Sequence, residues 1–137
     1  RGGEPWEGRH LELWMAEVAE ALLPGGVEGS TADDCKDLGN KALAGGKLED
    51  AIYLYTLGLK KREGCHILHS NRSAALAKKG DFVSALDDAD ACVRIKPDWA
   101  RGHGRRGAAL EGRELLGDAL AAYEEAVRLD PNNEASK

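Results

Sequence analysis

The property that most narrows what this chain can fold into is its likeness to itself at an offset of 34 residues. Ala51, Ala85 and Ala119 fall in register, as do Leu48, Phe82 and Leu116. Gly39, Ser73 and Gly107 form a series of small residues, Gly58, Cys92 and Ala126 form another, and Pro97 and Pro131 stand one period apart. Repeats of this length are supersecondary units that cannot bury their apolar face alone, so neighbouring units stack and share a core. The 137 residues hold three such units, with residues 1–30 in front of them.

Each unit reads as two helices joined by a short turn. Gly46 before Lys47 and Gly80 before Asp81 mark the first two turns. The pattern predicts helices over 32–45 and 48–62, 66–79 and 82–96, then 100–113 and 116–129. Pro97 and Pro131 each end a second helix, and Asp98 and Asn132 follow them as cap-forming residues. Small residues at fixed places let antiparallel helices approach closely. Two positions break the pattern. Glu63 stands where the other units have proline, and Glu114 where they have the turn glycine, with Gly117 three residues on. The loop between the last two helices is therefore the one the pattern specifies least. Cys35, His69 and His103 share the fourth place of each unit and are expected to pack between units. The fold class is all-α.

Composition removes several functions. Lys and Arg number 19 against 24 Asp and Glu, a net charge of −5, so a broad basic surface for nucleic acid is excluded. The apolar runs are a few residues long, far below the roughly 20 that a membrane-spanning helix requires. Cys35, Cys65 and Cys92 are odd in number and lack CxxC spacing, which argues against a disulfide framework and for a reducing compartment. No basic stretch followed by an apolar core marks a signal peptide, so a cytoplasmic or nuclear address is expected. The chain starts at Arg1 and reads as a fragment of something larger. Cys65, His66 and His69 are the best metal candidates, but they lack a fourth ligand, and neither metal nor cofactor is expected. GNKALAGGKL departs from a phosphate loop at Lys41 and at Leu48. No nucleophile, base and acid are tied together by a motif, so catalysis has no support.

A constellation of another kind does emerge. In a stacked array the first helix of each unit lines the concave surface. Lys36 and Asn40 occupy the fifth and ninth places of the first unit, Asn71 the sixth of the second, and Arg101 and Arg105 the second and sixth of the third. Three cations and two amides thus face one groove with no acidic residue among them, in a chain of negative net charge. Such a donor set suits carboxylates, and Arg adds a planar fork that can hold one bidentately. The ligand it fits is an acidic peptide with a free C-terminus. Arg72, Lys78 and Arg106 lie nearby and read as solvated charge.

These residues carry a resemblance. LGNKAL from Leu38, SNRSAALAKKGD from Ser70 and KPDWARGHGRRGAAL from Lys96 resemble the tetratricopeptide co-chaperone domains that carry a dicarboxylate clamp, above all the first such domain of the chaperone-organising, stress-inducible family. The likeness covers about residues 32–131. It implies a right-handed superhelix that binds the EEVD tails of cytosolic heat-shock chaperones. Lys36, Asn40, Asn71 and Arg105 would hold the final carboxylate and nearby backbone, and Lys36 and Arg101 would reach the terminal Asp. Leu43 and Ala74 would line the pocket for the terminal Val, while Ala77 and Lys78 would meet the residues before it. The resemblance around Ala74, Ala77 and Lys78 favours the 70-kDa chaperone over the 90-kDa one. Two other readings fit the same residues: a scaffold module for another acidic peptide, and the docking domain of a larger isomerase, phosphatase or ubiquitin ligase.

Residues 1–30 carry a separate stripe, Leu11, Trp14, Met15, Val18 and Leu22 at helical spacing, followed by the flexible run PGGVEGS from Pro24. The expected organisation is an amphipathic helix and linker over 1–30, the repeats over 31–131 and a tail over 132–137. The stripe is expected to pack on the first repeat with Trp14 mostly buried; a self-ligand in the groove and a dimer contact are its alternatives. With only Asn132 to Lys137 after the last helix, that helix's apolar face is expected to lie open, available for self-association.

Overall fold

The computed structural model describes residues 15–132, and among these every regular element is helical. Residues 15–22 are helical (α1), followed by one turn at Gly26–Gly29 (α2), then Ala32–Ala44 (α3), Leu48–Lys61 (α4), His66–Lys79 (α5), Phe82–Ile95 (α6), Ala100–Gly112 (α7) and Leu116–Leu129 (α8). The chain forms two compact units, one ending at Lys61 and the other starting at Arg62.

In the first unit α3 packs against α4. Thr31 starts α3 with a capping box: its hydroxyl accepts from Asp34 N at 3.1 Å, and the Asp34 carboxylate accepts from Thr31 N at 2.9 Å. The core gathers Ala19, Leu23, Cys35 and Leu54, with Val27, Leu38 and Leu57 packed against them. The N-terminal helix therefore packs on its own first repeat, but along a line rotated from the expected stripe. Met15, Ala19 and Leu23, four residues apart, are the buried line, whereas Leu22 on its flank is 60% exposed. Ala19 is too small to stand out in a hydropathy pattern. Leu11 and Trp14 lie outside the described residues. Glu20 accepts from Val27 N at 3.0 Å, and Lys61 Nζ donates to Val27 O at 2.7 Å, tying the end of α4 to this entry segment.

In the second unit α5 packs on α6, α6 on α7 and α7 on α8, with α5 also against α7. Leu110, Ala119 and Ala122 form a core cluster with Leu86 and Tyr123. Lys96 and Asp130, each before a proline, leave helical geometry in nearly the same way, at φ −136° and −145° with ψ 78° in both. Leu116 and Leu120 of α8 are 64% and 59% exposed. Their counterparts one period earlier, Phe82 and Leu86, are half-buried, with the Phe82 ring set against Gly112 of α7.

The last turn repeats the geometry of the other two despite its missing glycine. Glu114 itself takes φ 63°, beside 76° at Gly46 and 94° at Gly80. The bonds Lys47 N to Ala42 O, Asp81 N to Leu76 O and Leu115 N to Leu110 O, each 2.9 Å, repeat one device at all three turns. Gly117 is simply a residue of α8. The fourth-place residues depart from expectation. Cys35 is fully buried inside the first unit, beside the Ser30 hydroxyl at 3.9 Å, and burial pushes its thiol pKa up. His69 bonds Asp88, and His103 Nε2 donates to Pro97 O at 2.8 Å, so both meet polar partners and do not fill gaps between apolar layers.

Candidate functional site

The donor residues divide between the two units. In the first, Lys36, Asn40 and Leu43 follow one another at helical spacing along one face of α3. Lys36 is only loosely paired, its Nζ 3.7 Å from the exposed Asp33 carboxylate; surface pairs of this kind contribute about 0–1 kcal/mol and yield readily to a better-placed anion. Asn40 is exposed, and its Oδ1 accepts from the Tyr55 hydroxyl at 2.6 Å.

In the second unit α5 carries Asn71, Ala74 and Lys78 three and four residues apart, with Ala77 beside them; Lys78 is exposed and the others half-buried. Arg101 and Arg105 stand one turn apart on α7. Arg105 Nε donates to Ser70 Oγ at 3.2 Å across the α5–α7 contact, and Ser70 is fully buried. The bond to Nε restrains the guanidinium, whose planar fork can hold a carboxylate. The Arg101 guanidinium lies 5.3 Å over the Trp99 ring, a cation–π contact that restrains the second fork. Both cations act on Cys92 beneath them, yet burial outweighs them and drives the Cys92 pKa up to about 11. Asn71 thus lies on α5, and Arg101 and Arg105 on α7, the helix that contacts it through the Arg105–Ser70 bond.

Three supporting residues were not singled out by the sequence reading: Tyr55, Ser70 and Trp99. The complementarity of Gly39 with Tyr55 and of Gly107 with Tyr123, against Ser73 with Ala89, was the available signal for the first. Arg72 was misread as solvated. Its Nε and a terminal nitrogen donate to Asp88 Oδ2 and Oδ1 at 2.7 and 2.8 Å, and His69 Nδ1 lies 2.8 Å from Oδ1. Burial pushes the Asp88 carboxyl up, but the bonds from His69 and Arg72 win and hold it below the usual carboxylate range. Arg106 likewise bonds Asp90 at 2.8 Å. The metal candidates do not converge: His66 meets the Trp99 ring edge-on at 4.9 Å, with its pKa lowered by burial and by the nearby Lys96, while His69 is engaged with Asp88. Among the described residues no three His, Cys, Asp or Glu side chains are arranged to hold a metal ion, and no helix is long and apolar enough to cross a membrane.

No protein-family profile matches the chain. Individual proteins do. The chain is 43% identical over 106 residues to the Hsp70-Hsp90 organizing protein of Triticum aestivum, covering 77% of this chain and 18% of that protein, so it spans under a fifth of the curated relative's length. Among solved structures it resembles the first TPR of Spaghetti (RPAP3) bound to the HSP90 peptide SRMEEVD, with 31% identity, a TM-score of 0.74, and coverage of 77% of this chain and 84% of that one. The second TPR domain of human RPAP3 in complex with the HSP70 peptide SGPTIEEVD is 28% identical, with a TM-score of 0.71 and coverage of 77% and 88%.

Proposed function

Because the chain belongs to the tetratricopeptide-repeat family, we propose that it is a docking module for acidic C-terminal peptides ending in EEVD, and that Lys36, Asn40, Asn71, Arg101 and Arg105 form the carboxylate clamp. The observation that carries this reading is the chemistry of those positions: every one is a donor, none is acidic, and the two arginines are restrained by Ser70 and Trp99. Support also comes from the EEVD peptides held by the related RPAP3 domains. Leu43 and Ala74 would take the terminal Val side chain, and Ala77 and Lys78 the residues before it. A role in docking, without catalysis, in the cytoplasm, fits a chain whose three cysteines are all free thiols.

Calorimetry with a peptide ending in EEVD tests the reading. The free acid should bind, and C-terminal amidation should nearly abolish binding. A charge-assisted hydrogen bond contributes about 1.5–3 kcal/mol, so Lys36→Ala or Arg105→Ala should weaken binding about tenfold or more. Equal affinity for acid and amide would refute the clamp. Competition between SGPTIEEVD and SRMEEVD then tests the preference for the 70-kDa tail; tighter binding of SRMEEVD reverses that choice.

A further inference from the structure

A buried tyrosine hydroxyl must find a hydrogen-bond partner, and the place of that partner decides what the hydroxyl does. Tyr55 is fully buried on α4. Its ring seats against α3 where Gly39 has no side chain; a Cβ there would come within 2.6 Å of the ring. This seat delivers the hydroxyl one residue further along α3, to Asn40 Oδ1 at 2.6 Å.

Comparison between repeats separates the ring from its hydroxyl. The same ring-on-glycine seat recurs two periods later, where a Cβ on Gly107 would come within 2.7 Å of the Tyr123 ring. There Asn40's place is taken by Ala108, and the Tyr123 hydroxyl turns to Glu111 Oε1 at 2.8 Å. In the second repeat the tyrosine is replaced by Ala89 and the asparagine by Ala74. The ring is thus a packing device of the repeat. The bond to an asparagine amide belongs to the first repeat, where the helix carries the proposed clamp residues.

An asparagine amide has an oxygen edge that repels a carboxylate and an NH2 edge that binds one, and the two are nearly the same shape. A tyrosine hydroxyl donating to the oxygen selects between them. We propose that Tyr55 is a positioning residue, whose hydroxyl holds the Asn40 amide with its NH2 edge toward the ligand carboxylate. The proposal rests on the clamp reading above.

Tyr55→Phe keeps the ring and removes the donor. Titrated by calorimetry with SRMEEVD, this variant should bind about threefold to tenfold more weakly than the unaltered chain, the range set by one neutral hydrogen bond. Asn40→Ala should be at least as weak, and the double variant no weaker than Asn40→Ala alone, since the hydroxyl acts only through the amide. Additive losses would overturn the proposal, as would Tyr55→Phe binding like the unaltered chain while Asn40→Ala binds weakly. If Asn40→Ala itself bound normally, the clamp reading would fail first. A measurement on the unaltered chain guards against a misfolded variant: the Asn40 side-chain NH2 resonances should shift when the peptide saturates the protein, and resonances that stay in place overturn the assignment.

Discussion

Replacing Asp88 with alanine should destabilise the second unit by about 2–4 kcal/mol. The Asp88 side chain is 5% exposed and receives two bonds from Arg72 and one contact from His69, at 2.7–2.8 Å. Breaking a buried ion pair by removing one partner costs about 3–5 kcal/mol. The lower figure applies because Arg72 and His69 keep 23% and 18% of their side-chain surface in water and recover part of their hydration. For a chain of this length the loss corresponds to a Tm lower by about 10 °C at pH 7, read by circular dichroism. The sign of the pH dependence follows from the depressed Asp88 pKa. The stabilisation is fully present above the unfolded carboxylate value of about 3.9 and disappears as pH falls through the lower folded value. The gap between unaltered and Asp88→Ala protein should therefore be widest at neutral pH and close toward pH 2. A gap that is absent at pH 7, or as wide at pH 2, would refute the ion-pair account.

Glu114→Gly should raise stability by about 0.5–1 kcal/mol: the left-handed conformation costs a side-chain-bearing residue about 1–2 kcal/mol, and glycine's extra freedom in the unfolded chain returns about half of that. Urea unfolding that shows a loss would place the strain elsewhere. Cys92, driven up to about 11 by burial, should stay unmodified by a thiol reagent at pH 8 in the native protein and react once urea is added; rapid native labelling would contradict its burial.

Helix positions were legible because their punctuation repeats with the period. Pro97 and Pro131, the turn glycines Gly46 and Gly80, and the cap at Asp81 are local signals whose effect does not depend on distant contacts. The expected ends at 45, 62, 96 and 113 each ran one residue long. Gly45, Lys96 and Arg113 are caps that have already left the helix, and α4 closes at Lys61. Glu114 misled because turn chemistry was read from residue type, whereas the geometry is imposed by the helices on either side. Arg72 misled for a related reason. Its partner lies sixteen residues away on the next helix, at a place that faces the core, and no pattern along α5 points to it.

The same distinction explains why the candidate site was half visible. Its donors are charged or amide side chains at exposed or half-buried helical positions, and residue type with spacing is enough to pick them out. What orients them is hidden in the packing: Ser70 under Arg105, Trp99 under Arg101 and Tyr55 behind Asn40. Each can be seen only once neighbouring helices are in place, because a hydroxyl or ring at a core position looks like volume until its polar edge is shown to meet a partner. A groove of donors on mobile side chains would attract many anions weakly. Restraining a donor from beneath lowers the entropy lost when a carboxylate arrives. On the proposed clamp reading, selectivity for an acidic tail would depend on Tyr55, supplied by the second helix of the first repeat, as well as on the helices that carry the donors.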